Sequence, residues 1–289
     1  MTTSDILKRV RKIEIKTKGL SSHIFSGEYH SAFKGRGISF SEVREYTPGD
    51  DVRAIDWNVT ARLSTPFIKV FEEERELTLM LLIDISRSSI FGSAQFNKRE
   101  LITELAAVLS FSANTNNDKV GVIFFSDKVE KYIPPKKGKT HILRIIRELI
   151  ALEPKTSTGT NIAMALESLN NVLKQRSIAF LLSDMVAPSF DDALRIAARK
   201  HDFIGIQIFD PLDVQLPDVG ILEVLDAETE QGRIIDTSDQ ITRMHYFKAF
   251  KEHQEYCKNI FSKSGAQLLK VQTDQDYIKT LQSFFRNRI

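Results

Sequence analysis

The chain has 289 residues, of which 42% are hydrophobic and 27% are charged, and its formal net charge is +2. This size and composition are typical of a soluble globular protein with one large α/β domain and an extension. The small net charge gives no strong field for nucleic acid or anionic membrane, so we expect a protein partner to be recognised locally.

Cys257 is the only cysteine, which excludes an intramolecular disulfide and a cysteine-rich zinc site. No apolar run approaches the roughly 18 residues needed to span a bilayer, and the first residues lack the apolar core of a signal peptide. Together these features predict a cytoplasmic protein. A short helix is predicted over residues 3–17, and docking on its own protein is favoured over a membrane surface because the helix lacks aromatic anchors.

Residues 28–65 are rich in Gly, Arg and Asp and show little periodicity, which predicts irregular structure. Pro48-Gly49 suits the central positions of a type II turn. Oppositely charged residues alternate in this segment, namely Arg44, Asp50, Asp51, Arg53, Asp56 and Arg62. We interpret them as a buried salt-bridge scaffold; the alternative is a docking surface with Trp57 as its aromatic anchor.

The remaining chain alternates between apolar strands and amphipathic helices. Strands are predicted at residues 67–70, 77–83, 120–125, 129–133, 178–183, 203–209 and 266–271. Helices are predicted at residues 96–114, 141–152, 161–174, 191–200, 240–261 and 277–285, with a loop at 134–139 and a hairpin near 219–236. This order predicts a doubly wound, mostly parallel sheet with helices on both faces. We expect residues 1–76 to form an N-terminal irregular or β extension and 77–289 the α/β domain.

Oxygen-bearing side chains follow the two most apolar strands. Asp84-Ile85-Ser86-Arg87-Ser88 comes directly after strand 77–83, Asp184 comes after strand 178–183, and Thr160 precedes a helix. A lone pentapeptide of this kind is more often a helix cap. However, the carboxyl ends of neighbouring parallel strands meet at one edge of the sheet, where ligands bind. Two carboxylates with several hydroxyls suit Mg²⁺.

The order Asp-x-Ser-x-Ser, then Thr, then Asp resembles the metal-ion-dependent adhesion site of the von Willebrand factor type A domain. The resemblance implies a von Willebrand factor type A-like fold and a site for Mg²⁺, with Mn²⁺ or Ca²⁺ as alternatives. The implied ligands are Asp84, Ser86, Ser88, Thr160 and Asp184. Met185 stands where a Gly often follows the last Asp, which leaves the loop shape open.

A second resemblance covers roughly residues 27 to 210 and concerns the bacterial domain-of-unknown-function fifty-eight family. It implies a partner among the MoxR-type AAA+ ATPases, whose genes typically lie beside those of the family, including in aerotolerance-type operons. The motifs that carry it are Gly35-Arg36-Gly37-Ile38-Ser39-Phe40, Arg44-Glu45-Tyr46, Pro48-Gly49-Asp50-Asp51-Val52-Arg53, Ile55-Asp56-Trp57-Asn58, Ala61-Arg62 and Phe91-Gly92.

Two functions remain open at this point. The first is a non-enzymatic, metal-dependent interaction module that binds an acidic side chain of its partner at the ion and acts as an adaptor of the ATPase. The second is a metal-assisted phosphoester hydrolase that uses Asp84, Asp184 and Asp210. The first is favoured because two-metal hydrolysis usually needs more carboxylates and no general base is evident. Phosphate binding at residues 158–160 is a weaker alternative to metal binding.

Overall fold

The computed structural model describes residues 39–72, 77–93, 97–152, 159–225 and 232–288. The predicted helix over 3–17, the motif residues 35–38, residues 73–76 before the first apolar strand, and Thr158 lie outside the described residues. Internal contacts divide the chain into two units, with a change of unit between Leu77 and Thr78. Each unit is described separately below.

The smaller unit is built on an antiparallel strand pair. Strand β1 (Ser39–Glu45) pairs with β2 (Phe67–Glu72), and between them lie a 3-10 turn (Val52–Ala54) and helix α1 (Trp57–Leu63). Asp56 caps α1 by accepting hydrogen bonds from the backbone of its first turn. The strand pair therefore agrees with the expected irregular or β extension, and the prediction of irregular structure is wrong for α1. The sequence hides α1 because the helix has only 7 residues and none is buried, so it shows no apolar face.

The charged residues of this unit form local contacts at its surface. Arg44 donates to both carboxylate oxygens of Asp50, at 2.7 and 2.9 Å, which holds the pKa of Asp50 well below its usual range. The predicted turn is present, because Asp50 N donates to Thr47 O at 3.0 Å and Gly49 has a φ of 111°. Asp51 is exposed, and its carboxylate accepts a hydrogen bond from the backbone N–H of Arg53 at 3.0 Å. The expectation of a buried scaffold is therefore wrong for Asp51.

The larger unit contains a six-stranded sheet and a separate hairpin. The strands in chain order are β3 (Thr78–Asp84), β4 (Lys119–Phe125), β5 (Val129–Lys136), β6 (Ile178–Ser183), β7 (Asp202–Phe209), β8 (Ile221–Leu225), β9 (Gly232–Asp236) and β10 (Gln267–Gln272). The sheet order is β10-β7-β6-β3-β4-β5, and every neighbouring pair is parallel except β4 with β5. Strands β8 and β9 pair antiparallel as the hairpin. The predicted α/β, von Willebrand factor type A-like fold is confirmed.

Helices cover both faces of the sheet. They are α2 (Lys98–Thr115), α3 (Lys139–Ala151), α4 (Ile162–Val172), α5 (Asp191–Lys200), the short α6 (Pro211–Val214), α7 (Gln240–Ser264) and α8 (Tyr277–Arg286). Ala179 and Leu181 of β6 belong to the core cluster with α4, α5 and α7. Phe180 points the other way, as strand alternation requires, and packs against Phe285 of α8 with ring centroids 6.3 Å apart. Burial on both faces accounts for the uninterrupted apolar sequence of the strand.

One predicted loop is partly a strand. Strand β5 continues to Lys136, so the loop expected at 134–139 is wrong over its first three residues. Proline is tolerated there because β5 is the last strand of the sheet and its outer edge needs no N–H donor. Within the ranges that the structure describes, no helix is long and apolar enough to cross a membrane.

Candidate metal centre

The two carboxylates predicted to meet lie at the ends of neighbouring parallel strands. Asp84 is the last residue of β3, and Asp184 directly follows β6, which pairs with β3. Their residues are 1% and 8% exposed. The strand pairing therefore brings two buried acidic groups to the same edge of the sheet, as the sequence predicted.

Asp84 is held from two sides. Ser86 N donates to its Oδ1 at 2.9 Å, and Ser183 Oγ donates to its Oδ2 at 2.6 Å. Burial and the neighbouring charge of Asp184 nevertheless raise the pKa of Asp84 to about 6, because burial removes water from the carboxylate and Asp184 repels its negative charge. A cation bound between the two groups would relieve this repulsion.

The serines of the pentapeptide lie in a tight turn above Asp84. Ser86 Oγ is 3.0 Å from Ser88 Oγ, and a 3-10 turn runs over Arg87–Ile90. Ser86 stands at the capping position of this turn, yet its side chain makes no capping hydrogen bond. The alternative explanation of Ser86 as a cap is therefore not supported, and its hydroxyl stays with Ser88 and Asp84.

Thr160 lies on a loop anchored at the same edge. Asn161 N donates to Ser126 O at 2.7 Å, and Ile85 N donates to Phe125 O at 2.8 Å, so the end of β4 ties down both the loop and the residue after Asp84. Thr160 is 5% exposed, and its Oγ1 is buried with no hydrogen-bond partner among the described residues. Burying a hydroxyl without a partner costs about 1–3 kcal/mol. A bound cation would give this oxygen its missing partner.

Met185 takes the backbone shape that glycine usually provides. Its φ is 64°, in the left-handed region that side chains other than Gly seldom adopt. Met185 N donates to Ser183 Oγ at 2.9 Å, and the side chain is fully buried. The loop after Asp184 therefore turns in spite of the substitution, which answers the question raised by the sequence.

Lys98 is a site residue that sequence reasoning missed. Its Nζ lies 3.2 Å from Asp184 Oδ2 and 2.8 Å from Asp213 Oδ2, and the residue is 4% exposed. Burial alone would lower the pKa of Lys98, but the two carboxylates raise it overall, so the ammonium stays charged. A signal was present, because Lys98 opens α2, where a positive charge is unfavourable beside the helix dipole.

Asp210, the third carboxylate of the hydrolase alternative, is buried in structural hydrogen bonds. It accepts from Ser93 N at 2.9 Å, Leu212 N at 3.0 Å and Thr273 Oγ1 at 2.7 Å, and also from Ser93 Oγ. Burial raises its pKa, but these donors outweigh burial and lower the pKa overall.

Across the described ranges, no three His, Cys, Asp or Glu side chains form a metal-binding group. The donor set suits one hard cation held by two carboxylates and hydroxyls.

Comparisons with known proteins place the chain in a family. The family described as "Protein of unknown function DUF58" matches residues 42–256. Uncharacterized protein Rv1480 of Mycobacterium tuberculosis H37Rv is 30% identical over 282 residues, covering 96% of this chain and 88% of that protein. YeaD of Bacillus subtilis, also named uncharacterized, is 31% identical over 109 residues, covering 38% of this chain and 25% of that protein.

The fold also matches a solved structure. An aerotolerance-related membrane protein from Bacteroides fragilis NCTC 9343 aligns with a TM-score of 0.52 at 15% identity, covering 73% of this chain and 99% of that chain. At this identity the likeness shows the fold alone. With the family match over residues 42–256 and a relative that is 30% identical along nearly the whole chain, the protein belongs to the DUF58 family.

Proposed function

We propose that this protein is a Mg²⁺-dependent protein-interaction module whose ion is held by Asp84, Ser86, Ser88, Thr160 and Asp184. The observation that carries the proposal is the buried hydroxyl of Thr160, which has no hydrogen-bond partner in the described part of the chain and lies on a loop anchored at the edge where two buried carboxylates end. Mn²⁺ and Ca²⁺ are the alternative ions, since both also take oxygen ligands.

The charge balance of the site supports one divalent ion. Asp84 and Asp184 match the charge of one such ion, while Lys98 already balances one further carboxylate, Asp213. The bound ion would supply an electrophilic centre with an open coordination position, because neutral hydroxyl ligands leave much of its charge unsatisfied. A carboxylate from an Asp or Glu of a partner protein is the group that such a position takes best.

The partner that we propose is a MoxR-type AAA+ ATPase, with this protein as its adaptor in complex assembly or in stress and aerotolerance functions. The family resemblance supports this partner, and the matching Bacteroides fragilis protein is described as aerotolerance-related. Metal-assisted phosphoester hydrolysis is the second candidate. It has less support, because each oxygen of Asp210 accepts two structural hydrogen bonds, whereas each oxygen of Asp84 accepts one, and the site is left with two carboxylates.

Capture of a purified MoxR-type ATPase from the same organism tests the proposal. Immobilised wild type should retain the ATPase in Mg²⁺ and release it in EDTA, and Asp84→Asn should retain little in either buffer. Asp276→Asn is the matched control, since this carboxylate caps α8 and pairs with the exposed Lys279, away from the proposed ligands. Equal retention of the ATPase by all variants in both buffers would refute binding through a metal ion. Phosphoester turnover that disappears in Asp184→Asn would instead support the hydrolase.

A further inference from the structure

A cavity of about 510 Å³ opens beside the candidate metal centre. Ser88 and Asp184, two of the proposed ligands, line it together with Lys98. The cavity lies in the size range of ligand pockets, about 300–1,000 Å³. A group that reached a bound ion from the side of Ser88 and Asp184 would therefore lie in this cavity.

The β8–β9 hairpin provides an apolar wall of the cavity. Leu222 and Ile235 are paired across the two strands, and both line the cavity together with Val224. Ile221 and Ile234 alternate with them along the strands, do not line the cavity, and are 73% and 79% exposed. Leu222, Val224 and Ile235 thus form an apolar face of the hairpin toward the cavity, although Glu223 and Leu225 at the alternate positions also reach the cavity lining.

The apolar surface continues outside the cavity. Phe91, Val186 and Leu225 line the cavity and yet remain 44%, 61% and 67% exposed. A small molecule inside the cavity would leave much of this rim in water, whereas a protein segment can cover both the interior and the rim. Adjoining exposed apolar side chains of this kind mark binding surfaces.

The charged residues that line the cavity determine which charged group a ligand can carry beside its apolar side chain. Of the described residues that line the cavity, three are acidic (Asp184, Asp213 and Glu223) and one, Lys98, is basic, so without a metal ion the cavity repels a carboxylate. An ion between Asp84 and Asp184 reverses this locally by adding two positive charges. Recognition of an acidic group here therefore requires the ion.

We propose that the hairpin forms an apolar subsite for the residue next to the acidic anchor. The ligand is then a protein segment in which an Asp or Glu is adjacent to a large apolar residue such as Leu, with the carboxylate on the ion and the apolar side chain against Leu222, Val224 and Ile235. This inference rests on the proposed function and specifies the ligand of the same site.

Labelled, end-capped peptides test the pairing of acid and apolar side chain. We would measure binding of Gly-Gly-Leu-Asp-Leu-Gly-Gly, its Asn counterpart, and Gly-Gly-Ser-Asp-Ser-Gly-Gly by fluorescence anisotropy, in Mg²⁺ and in EDTA. We expect the Leu-Asp-Leu peptide to bind about tenfold or more tightly than the Ser-Asp-Ser peptide, because each leucine buries apolar surface. The Asn peptide, and every peptide in EDTA, should not bind measurably.

Two double variants of the hairpin form a matched pair. Leu222→Thr with Val224→Thr changes the face that lines the cavity, and Ile221→Thr with Ile234→Thr changes the opposite face. Threonine is β-branched and suits strands, so both variants should keep the hairpin. The first should lose the preference for leucine over serine, and the second should keep it. If the first double variant does not fold, Val224→Thr alone is measured, since Val224 is 39% exposed and tolerates the change.

The outcomes separate this inference from the proposed function. Mg²⁺-dependent binding with no preference for leucine, or an equal loss in both hairpin variants, overturns the subsite and leaves the metal proposal standing. Binding that is the same in EDTA overturns the metal proposal itself. If 4-methylpentanoate displaces the peptide with equal affinity, the ligand is a small acid and the protein-segment assignment is wrong. If none of the peptides binds, the assignment of a protein segment as the ligand is also wrong.

Discussion

Replacing Lys98 by methionine should destabilise the protein strongly when no metal is present. Methionine keeps the length and apolar character of the side-chain stem but removes the ammonium that lies 3.2 Å from Asp184 and 2.8 Å from Asp213. Both carboxylates then lose a buried counter-charge. Removing one partner of a buried ion pair costs about 3–5 kcal/mol, because the remaining charge stays desolvated. We expect a loss of that size.

Lys131→Met is the matched control. Lys131 pairs with Glu148 at a shorter distance, 2.6 Å, but the two side chains are 36% and 27% exposed. Partly exposed pairs contribute about 0–1 kcal/mol, so burial rather than distance should decide the result.

Urea unfolding in EDTA, followed by circular dichroism, measures the free energy of unfolding of wild type and both variants. Adding Mg²⁺ should then stabilise Lys98→Met more than wild type, because the uncompensated Asp184 attracts the ion more strongly. Equal losses in the two variants, or a loss below about 1 kcal/mol in Lys98→Met, would show that the ion pair does not carry the stability assigned to it.

Three further predictions concern stability. Gly205→Ala should cost about 1–3 kcal/mol in urea unfolding by overpacking, because an added Cβ would lie 2.4 Å from the Phe261 ring; wild-type stability would refute the close approach. His201 is 1% exposed, and burial lowers its pKa to about 4 from 6.5. Between these two pH values the unfolded state binds a proton that the folded state does not, so the contribution of His201 to the free energy of unfolding should be complete above pH 6.5 and fall by up to about 1.4 kcal/mol per pH unit as the pH drops toward 4. His201→Leu should make the free energy of unfolding less dependent on pH in this range. Parallel pH profiles of the two proteins would contradict the assignment. Asp51→Ala and Trp57→Ala should melt like wild type, because Asp51 is exposed and Trp57 is 70% exposed, whereas large drops in melting temperature would restore the buried scaffold.

The sequence predicted most accurately the helices and strands whose bounds follow from their own residue composition. Strand β6 occupies residues 178–183 and α5 occupies residues 191–200, as expected, because a continuous apolar run and a strongly amphipathic stretch each permit one placement. Sequence patterns failed where burial rather than residue type was the question. The alternating charges around Asp51 resemble a buried lattice in the sequence, but their burial depends on contacts that no local pattern encodes.

The candidate site also has residues that the sequence predicted and residues that it did not. The positions of Asp84 and Asp184 followed from strand order, because parallel neighbours end at one edge. The pairing of Lys98 with Asp213 could not be predicted from the sequence. The ion pair joins the start of α2 to the short α6 after β7, and these two elements lie far apart in the chain. The apolar wall supplied by the hairpin was equally hidden, since its strands show apolar side chains on both faces.

The most direct test of the central claim is a calorimetric Mg²⁺ titration of wild type, Thr160→Val and Thr103→Val. Both threonines are buried, but Thr103 Oγ1 donates to Arg99 O at 2.7 Å while Thr160 Oγ1 has no partner among the described residues. We predict that wild type and Thr103→Val bind one Mg²⁺, more weakly as the pH falls through about 6 and Asp84 takes up a proton. Thr160→Val should unfold no more easily than wild type in EDTA, yet lose about tenfold or more of its Mg²⁺ affinity. Equal affinity in all three proteins, or no binding by wild type, would contradict the account.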